Sequence, residues 1–546
     1  MFEKNWIKVV TISLILILMI PYHCYPRLWQ ADNDKQSVNY SRLVYPGKDG
    51  RLVYTPDEKG NTFPDFSYAG YGGGGVRLPK LPVKAVVKPG GGNDAGRIQE
   101  AIDRVSALAP DKNGFRGAVL IKRGRYELDK PLRITVGGVI LRGEGQGENG
   151  TVLFGKGSFK GKAGTPIQNI GLIEFAGASG AVEIKGSAAR ILDDYVPVGA
   201  RSFRVSSATG FKTGDTVLVR RFGNRAWYDS LRLDPTKWTE DIRHDSERTV
   251  TAVDGDHITV DIPLVAAIET RWGGGELVKY TDSGRIAQVG VENLRGMSDF
   301  DRSIRTNKFG NMDRPDYTGF EYYSDENHYW NFIRMTNVRD AWVRDVTALH
   351  FAMSTVLMDA GSKRTTVQDC TSIEPVSVSA GGRRFTFHMC GQLCLVQRCR
   401  SDQGRHSFVL GGTATCGPNV FLDCIATRPY GSSEPHSSLI VGSLYDNVKA
   451  PLAFRYATSV PPRWMGFNSF AWNCEGMFIV QKTPAAQNYS IGHIGLNAMI
   501  YNRGLIDYSW PEGYIESLDI HVQPISLYLK QLEERLGKNA VKNSEK

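Results

Sequence analysis

A repeated four-residue unit in the second half of the chain is the sequence feature that most constrains the fold. In each copy an apolar residue is followed by two mostly polar residues and then by a small or apolar residue. The last residues of the copies are Leu294, Val346, Cys370, Cys399, Cys424, Val448 and Cys474. Their positions differ by 52, 24, 29, 25, 24 and 26 residues. The first interval fits two repeats, or one repeat with an insertion.

An interval of 24–29 residues, filled with short β-branched and aromatic runs between Gly, Asn and Asp, predicts a solenoid of stacked β-strands. A single unit leaves its strand faces in water, whereas stacked units bury one face and pair their backbones. The last residue of each unit then forms a ladder inside the solenoid, which gives the cysteines a packing role. The leucine spacing of leucine-rich repeats is absent, and an antiparallel sandwich does not require so constant an interval. We therefore predict an all-β chain built as a parallel β-helix.

The N-terminus predicts export. Lys4 and Lys8 precede an apolar run at residues 9–20, which Pro21 ends. This run is short for a membrane span and typical of a signal peptide. We expect a signal peptide at residues 1–25, a secreted or periplasmic location and no stable membrane association after cleavage. An uncleaved N-terminal anchor is the alternative.

The remaining segments follow from where the repeat starts and stops. We predict an irregular lead-in at 26–90, a capping helix with the first coils at 91–190, and an inserted β-subdomain at 191–280. The main β-helix is predicted at 281–520, with a C-terminal helix and a loose tail at 521–546. Asp94 precedes apolar residues at 98, 101, 102 and 105, which predicts an amphipathic helix with Asp94 as its N-cap.

Charge and cysteine usage restrict the partners. The net charge is +9, with Lys and Arg dispersed rather than in blocks, which favours an acidic polysaccharide over nucleic acid. Beyond Cys24, seven cysteines remain, and an odd count clustered late in the chain is a poor disulfide framework. We expect a monomer.

Three stretches near the start resemble the pectin-lyase-like superfamily. They read Gly92-Asn-Asp-Ala with Ile98-Gln-Glu-Ala-Ile-Asp103, Gly117-Ala-Val-Leu-Ile with Gly124-Arg-Tyr, and Gly138-Val-Ile-Leu-Arg-Gly-Glu-Gly145. The resemblance covers roughly residues 60–535 and implies a right-handed parallel β-helix. The superfamily includes polysaccharide lyases, glycoside hydrolases, esterases and phage tailspikes, so it implies a fold and no single reaction.

A narrower resemblance is to an exported bacterial subgroup described as pectate-lyase-like. It is carried by residues 64–71, 417–424 and 444–448, by Gly404-Arg-His406 and by Gln487-Asn-Tyr489. The subgroup has Asp after Arg-His, where Ser407 stands here. It has His-His-Arg-Trp after Pro435, where this chain reads His436-Ser-Ser-Leu439. The missing polar groups leave altered specificity or lost activity open.

Basic residues recur just before a core strand in successive repeats. If they align on one face, they form a cationic, histidine-containing stripe that suits an acidic chain. The predicted catalytic residues are His406 as base, Arg405 or Arg384 as neutraliser of the substrate carboxylate, and His436. The predicted substrate-binding residues are His350, Arg383, Arg463, Trp464, Tyr445, His328 and Trp330. The alternatives are hydrogen bonding to loop carbonyls for the polar groups and core packing for the aromatic ones.

No metal or cofactor is predicted. Asp345, Asp369 and Asp423 recur at one position of the repeat, but Arg398 interrupts them. We interpret them as turn formers, and Ca²⁺ is possible but unsupported.

The preferred hypothesis is a carbohydrate-active β-helix that cleaves an acidic, uronate-containing polysaccharide by β-elimination. One alternative is a glycoside hydrolase that uses a carboxylate pair from Asp402, Glu434 and Asp446. The other is a non-catalytic glycan-binding β-helix.

Overall fold

Three series of parallel strands stack into a solenoid in the computed structural model. It describes residues 38–157, 169–234, 243–310, 315–316, 318–412, 414–436, 439–458, 463–498 and 506–545. The predicted signal peptide lies outside these residues. None of the helices among them is both long and apolar enough to cross a bilayer.

Each sheet takes one strand from each successive coil. The first sheet consists of Val83–Val87, Gly117–Ile121, Val139–Arg142, Gly290–Ser298, Val338–Leu349, Lys363–Gln368, Leu395–Gln397, Cys416–Leu422, Val441–Asp446, Phe467–Trp472, Tyr489–Ile491 and Tyr514–Glu516, with Ile286–Ala287 pairing beside them. The second sheet consists of Gly124–Leu128, Thr151–Gly155, the later parts of Gly290–Ser298 and Val338–Leu349, then Thr371–Ile373, Arg400–Asp402 and Ile425–Thr427.

The third sheet consists of Leu132–Ile134, Gly171–Ala176, Asn331–Thr336, Ser354–Met358, Phe385–Met389 and His406–Leu410. Isolated pairs at Pro435 and Ser433 continue it toward Leu452–Ala457 and Phe478–Val480. The chain therefore has the right-handed parallel β-helix fold that the repeat and the family resemblance predict.

The corner between the first and second sheets explains the repeat. The residue before each marker has a left-handed backbone, with φ between 50° and 61°; these residues are Asn293, Asp345, Asp369, Arg398, Asp423, Asn447 and Asn473. Asn and Asp tolerate this conformation better than most residues, which accounts for their recurrence. The seven markers that follow are buried in the core, and the described cysteines are free thiols. The packing role predicted for the cysteine ladder is confirmed.

Helix α1, Ala95–Ser106, covers the N-terminal end of the solenoid with Ile98, Ile102 and Val105 buried beneath it. Asp94 occupies the N-cap position but makes no side-chain cap bond. Its carboxylate instead accepts hydrogen bonds from the Gly90 amide and the Arg97 side chain.

An antiparallel β-subdomain interrupts the coils. Its strands are Val182–Glu183, Ala189–Arg190, Ser202–Arg204, Thr216–Phe222, Arg243–Asp254, His257–Val260 and Gly275–Thr281, with Tyr195–Val196 pairing Ile268–Glu269 and with helix α2 at Arg225–Ser230. Glu247 joins this subdomain to the coils, because its carboxylate binds Arg285 at 2.6 Å and Lys363 at 3.0 Å.

The C-terminus forms two helices, α3 at Leu527–Leu536 and α4 at Lys538–Glu545. Ser526 caps α3 by accepting a hydrogen bond from the Leu529 amide. The prediction of a loose tail after the C-terminal helix is wrong over the described residues, since α4 buries Ala540 in the cluster that α3 makes with the lead-in. Short antiparallel pairs complete the structure: Val44–Pro46 with Leu52–Tyr54, Arg305–Thr306 with Tyr322–Tyr323, and Leu452–Ala457 with Arg463–Met465.

Candidate functional site

Two histidines and one glutamate meet on adjacent coils at the third sheet. His406 begins the strand His406–Leu410, and Pro435 of the next coil pairs with Leu410. Glu434 and His436 flank Pro435, and Glu434 Oε1 lies 3.6 Å from Nδ1 of His406. One ligand atom from each of His406, Glu434 and His436 lies within 4.8 Å of the others. We call these three residues the His–Glu cluster.

Glu434 is the buried centre of the cluster. Its side chain is fully buried, and Arg455 binds it with nitrogen–oxygen distances of 3.2 and 3.3 Å. The Ser432 hydroxyl donates to it at 2.7 Å, and His436 Nδ1 lies 2.5 Å from its Oε1. Burial acts to raise the pKa of Glu434. The electrostatic interactions with Arg455 and the two histidines outweigh this effect and hold the pKa well below its usual range. The carboxylate is therefore ionised at neutral pH.

Both histidines direct their proton-bearing Nδ1 to a fixed acceptor. His436 Nδ1 donates to the Glu434 carboxylate, and His406 Nδ1 lies 2.5 Å from the Ser432 carbonyl oxygen, which can only accept. Nε2 is then left unprotonated on each ring. Burial lowers the pKa of His436 to about 4, and burial with the neighbouring His436 and Arg405 holds the pKa of His406 well below its usual range. Both rings are thus neutral bases at neutral pH.

The Phe385 ring packs against both histidines. Its ring centroid lies 5.1 Å from that of His406 and 5.0 Å from that of His436, in edge-to-face geometry. A third histidine, His388, lies 5.3 Å from the same ring. Its Nε2 contacts the Cys390 thiol at 3.4 Å, and burial lowers its pKa to about 4. The sequence reasoning missed His388, although it stands three residues after Phe385 on the same strand.

Arginines surround the cluster and make it cationic. Arg405 lies 6.0 Å from the Phe385 ring and donates to the Gly381 carbonyl. It is close enough to Glu434, Arg455, Arg463 and Arg383 to interact with all four electrostatically. Of the residues predicted for the site, Arg405, His406, His436, Arg463 and Arg383 are therefore brought together. Arg455, whose role is to hold Glu434, was missed because its coil gives no Arg-His pattern.

The prediction of Arg384 as a catalytic residue is wrong. Its side chain is buried and donates to the carbonyls of Ser377 and Tyr323 at 2.9 and 3.1 Å. The rings of Tyr322 and Tyr430 each lie 4.7 Å from the guanidinium carbon. Because these contacts use the guanidinium, Arg384 holds the Tyr323 and Ser377 backbones together and does not face a ligand.

The aromatic residues predicted to stack on sugars are core residues. Tyr445 and Trp464 have no exposed surface, and Trp330 has 2%. Tyr445 donates to the Phe408 carbonyl, while Trp464 packs against Tyr456 and Trp510. A buried ring has no free face for a sugar, so the prediction is wrong for these three.

The two further histidines predicted for substrate binding, His328 and His350, make other contacts. His328 is buried, with Nδ1 at 3.0 Å from the Ser298 hydroxyl and Nε2 at 3.0 Å from the Val376 carbonyl oxygen. Its assignment to substrate binding is therefore wrong. His350 lies apart from the His–Glu cluster, with Nε2 at 3.2 Å from Glu374 and its ring 5.0 Å from Phe300.

Arg383 makes a two-nitrogen ion pair with Glu326, at 2.8 and 2.9 Å, and lies 5.4 Å from the Trp330 ring. Glu326 lies in the described segment 318–330. The ion pair therefore holds this segment against the residues that precede the strand Phe385–Met389.

The carboxylates that a hydrolase would need are held in unrelated contacts. Asp402 binds Arg428 at the surface. Asp446 lies fully buried under α3, where it accepts hydrogen bonds from the Ser526 hydroxyl and the Tyr528 amide at 2.8 Å. Burial raises the pKa of Asp446 to about 8. These groups do not form a pair with Glu434 across a groove.

The His–Glu cluster is the one group of three or more His, Cys, Asp or Glu side chains among the described residues that is spaced for a metal ion. Two histidines and one glutamate can hold a zinc ion, but here Glu434 is already engaged. Both carboxylate oxygens of Glu434 already accept from Arg455, and Arg405 and Arg463 add positive charge nearby. A hard cation such as Ca²⁺ would also need six or more oxygen ligands.

Several solved structures are similar to this chain. No protein-family model matches the sequence, and no curated protein sequence is similar to it. The chain is similar to ORF18 of Geobacillus virus E2, with 10% identity over 80% of this chain and 59% of that chain and a TM-score of 0.34. It therefore spans 59% of the length of the phage protein.

Two further structures are similar. One is the gp54 tailspike of Acinetobacter baumannii bacteriophage AP22 in complex with A. baumannii capsular saccharide, with 9% identity over 82% of this chain and 76% of that chain and a TM-score of 0.25. The other is the A-module of the Azotobacter vinelandii mannuronan C-5 epimerase AlgE6, with 10% identity over 74% of this chain and 83% of that chain and a TM-score of 0.31. At these values the similarity assigns no reaction to this chain, and its fold rests on the strand pairings given above.

Proposed function

We propose that the protein is a secreted or periplasmic polysaccharide lyase that cleaves an acidic, uronate-containing polysaccharide by β-elimination without a metal ion. The observation that carries this proposal is the His436–Glu434 pair. A buried, ionised carboxylate holds Nδ1–H of His436 at 2.5 Å, which leaves a neutral Nε2 beside several arginines. A base next to fixed positive charge is the combination that β-elimination from a uronate requires.

The proposed reaction begins with neutralisation of the substrate carboxylate. Arg405 and Arg463 carry the positive charge that would bind it, which makes the proton on C5 of the uronate more acidic. Nε2 of His436 then takes that proton. The electron pair of the C5–H bond forms the C4–C5 double bond, and the bond between C4 and the glycosidic oxygen breaks. The leaving oxygen takes a proton from water, and His436 later returns its proton to solvent.

The structure favours His436 over His406 as the base. The side chain of His436 is 13% exposed, whereas that of His406 is 5% exposed. The buried Nε2 of His406 has no hydrogen-bond partner. We assign His406 the role of packing against His436, whose ring centroid lies 4.0 Å away, so that His436 keeps one orientation.

The test is incubation of the full chain with pectate, alginate and glycosaminoglycans, followed by the ultraviolet absorbance of the unsaturated uronate. We expect absorbance to rise with one of these polymers, and the His436→Ala variant to abolish the rise. His257→Ala is the matched control, because His257 lies exposed on the inserted subdomain. New reducing ends without absorbance would instead indicate hydrolysis, and binding without either signal would indicate a non-catalytic glycan-binding protein. Full activity in His436→Ala would contradict the assignment of the base.

A further inference from the structure

A cavity of about 500 Å³ lies where the lead-in, the inserted subdomain and the last coils of the first sheet meet. Tyr195, Tyr489 and Tyr514 line it together with Asp57 and Glu269. None of the residues of the His–Glu cluster lines it. Its volume falls within the range of small-molecule binding sites.

Aromatic rings give this cavity a rigid wall. The Tyr489 ring stacks on Phe470, with centroids 4.7 Å apart and an angle of 5° between the ring planes. Phe63 packs against the same ring at 4.8 Å, and Tyr514 lies 5.9 Å away. Rings held in this way present an apolar surface at little further cost in conformational entropy.

Polar groups converge on the same space. Burial, together with the charge of the nearby Asp57 carboxylate, raises the pKa of the Tyr489 phenol. Burial raises the pKa of Tyr195 to about 12, so its hydroxyl stays protonated. That hydroxyl donates to the Asn61 side chain at 2.8 Å, which leaves its oxygen lone pairs able to accept a hydrogen bond.

The charges on the wall compensate one another. Two carboxylates, Asp57 and Glu269, and two ammonium groups, Lys59 and Lys482, line the cavity. Lys59 lies 3.8 Å from Glu269. The wall therefore carries no net charge, in contrast to the arginine-rich surroundings of the His–Glu cluster.

We propose that this cavity binds a short, neutral oligosaccharide. Aromatic rings pack against the C–H faces of sugar rings, while phenols and carboxylates exchange hydrogen bonds with hydroxyl groups. The absence of net charge favours neutral sugars over uronates. A substrate polymer with neutral segments would then be held at a second point, away from the bond that is cleaved. The proposal stands independently of the lyase reaction, since it concerns binding alone.

The test is isothermal titration of the full chain with neutral gluco-, xylo- and galacto-oligosaccharides and, in parallel, with uronate oligosaccharides. We expect a neutral oligosaccharide to bind and the Tyr195→Phe variant to weaken it by about five- to tenfold, as the loss of one hydrogen bond predicts. Tyr514→Phe provides a second variant that keeps the ring. Tyr508→Phe is the matched control, because Tyr508 is 54% exposed and does not line the cavity.

Melting temperatures of the variants confirm that each is folded. Two results would overturn the proposal: no neutral oligosaccharide binds, or both cavity variants bind it as the wild type does. Tighter, Tyr195-dependent binding of uronate oligosaccharides would overturn the assignment of a neutral ligand. Binding is measured without catalytic turnover, so these outcomes do not depend on the result of the lyase assay.

Discussion

The Glu434→Gln substitution tests the role of the buried carboxylate that orients His436. The variant keeps the shape of the side chain and removes its charge. Because the amide can donate to Nδ1, it favours the His436 tautomer with its proton on Nε2, which cannot act as a base. The wrong tautomer of a catalytic histidine lowers kcat by about 10⁴-fold in a comparable carboxylate-to-amide change. We therefore expect a loss of about 10³–10⁴-fold here.

The same substitution should also destabilise the fold. Removing one partner of a buried ion pair costs about 3–5 kcal/mol. Arg455 keeps 10% of its side chain exposed, so we expect the lower end, about 3 kcal/mol at pH 7. The pKa of Glu434 is lower in the folded state than in the unfolded state. Its stabilising charge is therefore present above pH of about 4.3 and lost as pH falls through the folded pKa, so the difference between variant and wild type should shrink in acid.

Urea unfolding at pH 7 and at pH 4, with kcat measured on the polymer that the wild type cleaves, gives both quantities. Asp402→Asn is the matched control, because it breaks a carboxylate–arginine pair whose arginine side chain is 70% exposed. We expect it to cost less than about 1 kcal/mol and to leave kcat unchanged. A Glu434→Gln variant with the wild-type kcat, or equal losses in the two variants, would refute the reasoning.

Three further predictions follow from single residues. The rate of cleavage should stay constant from neutral pH down to about 5 and fall as pH drops through the pKa of His436, about 4. The reason is that only the neutral ring accepts a proton. A pH–rate profile with a midpoint near 6.5 would contradict this prediction. Burial raises the folded pKa of Asp446 to about 8. The wild type should therefore lose on the order of 5 kcal/mol of stability as pH rises from about 4 to 8. Thermal melts of Asp446→Asn over the same pH range should lack most of this loss. Asn473 has a φ of 50°, and its side chain both donates to the Val522 carbonyl and accepts from the Val522 amide, each at 2.8 Å. Asn473→Ala should therefore lower the free energy of unfolding in urea by about 2–4 kcal/mol. A loss below about 0.5 kcal/mol would contradict that role.

The repeat predicts the coils because one physical constraint recurs in each of them. A single residue turns the chain between two sheets with a left-handed backbone, so Asn or Asp is favoured there, and the next residue must fit inside the stack. The same register also shows why Tyr445 is a core residue. It pairs with Phe421, which pairs with Val396, and all three stand at the first position of the four-residue unit. The sequence therefore already contained the signal that Tyr445 faces inward.

The site was predictable only in part. Arg405, His406 and His436 lie together because they stand on adjacent coils. Arg384 follows Arg383 directly, yet its side chain turns into the protein, and neighbouring positions on one loop give no signal of which one does so. The sequence predicts Glu434 only as one member of a hydrolytic carboxylate pair. Its role as the partner of His436 and Arg455 depends on contacts across two coils that spacing alone does not define.

The most direct test of the central claim is mass spectrometry of the intact products. β-Elimination takes up no water, so a lyase yields two fragments whose masses sum to that of the parent chain. The new non-reducing end should carry one double bond, and His436→Ala should yield neither fragment. Fragments that together exceed the parent mass by one water would contradict a lyase reaction.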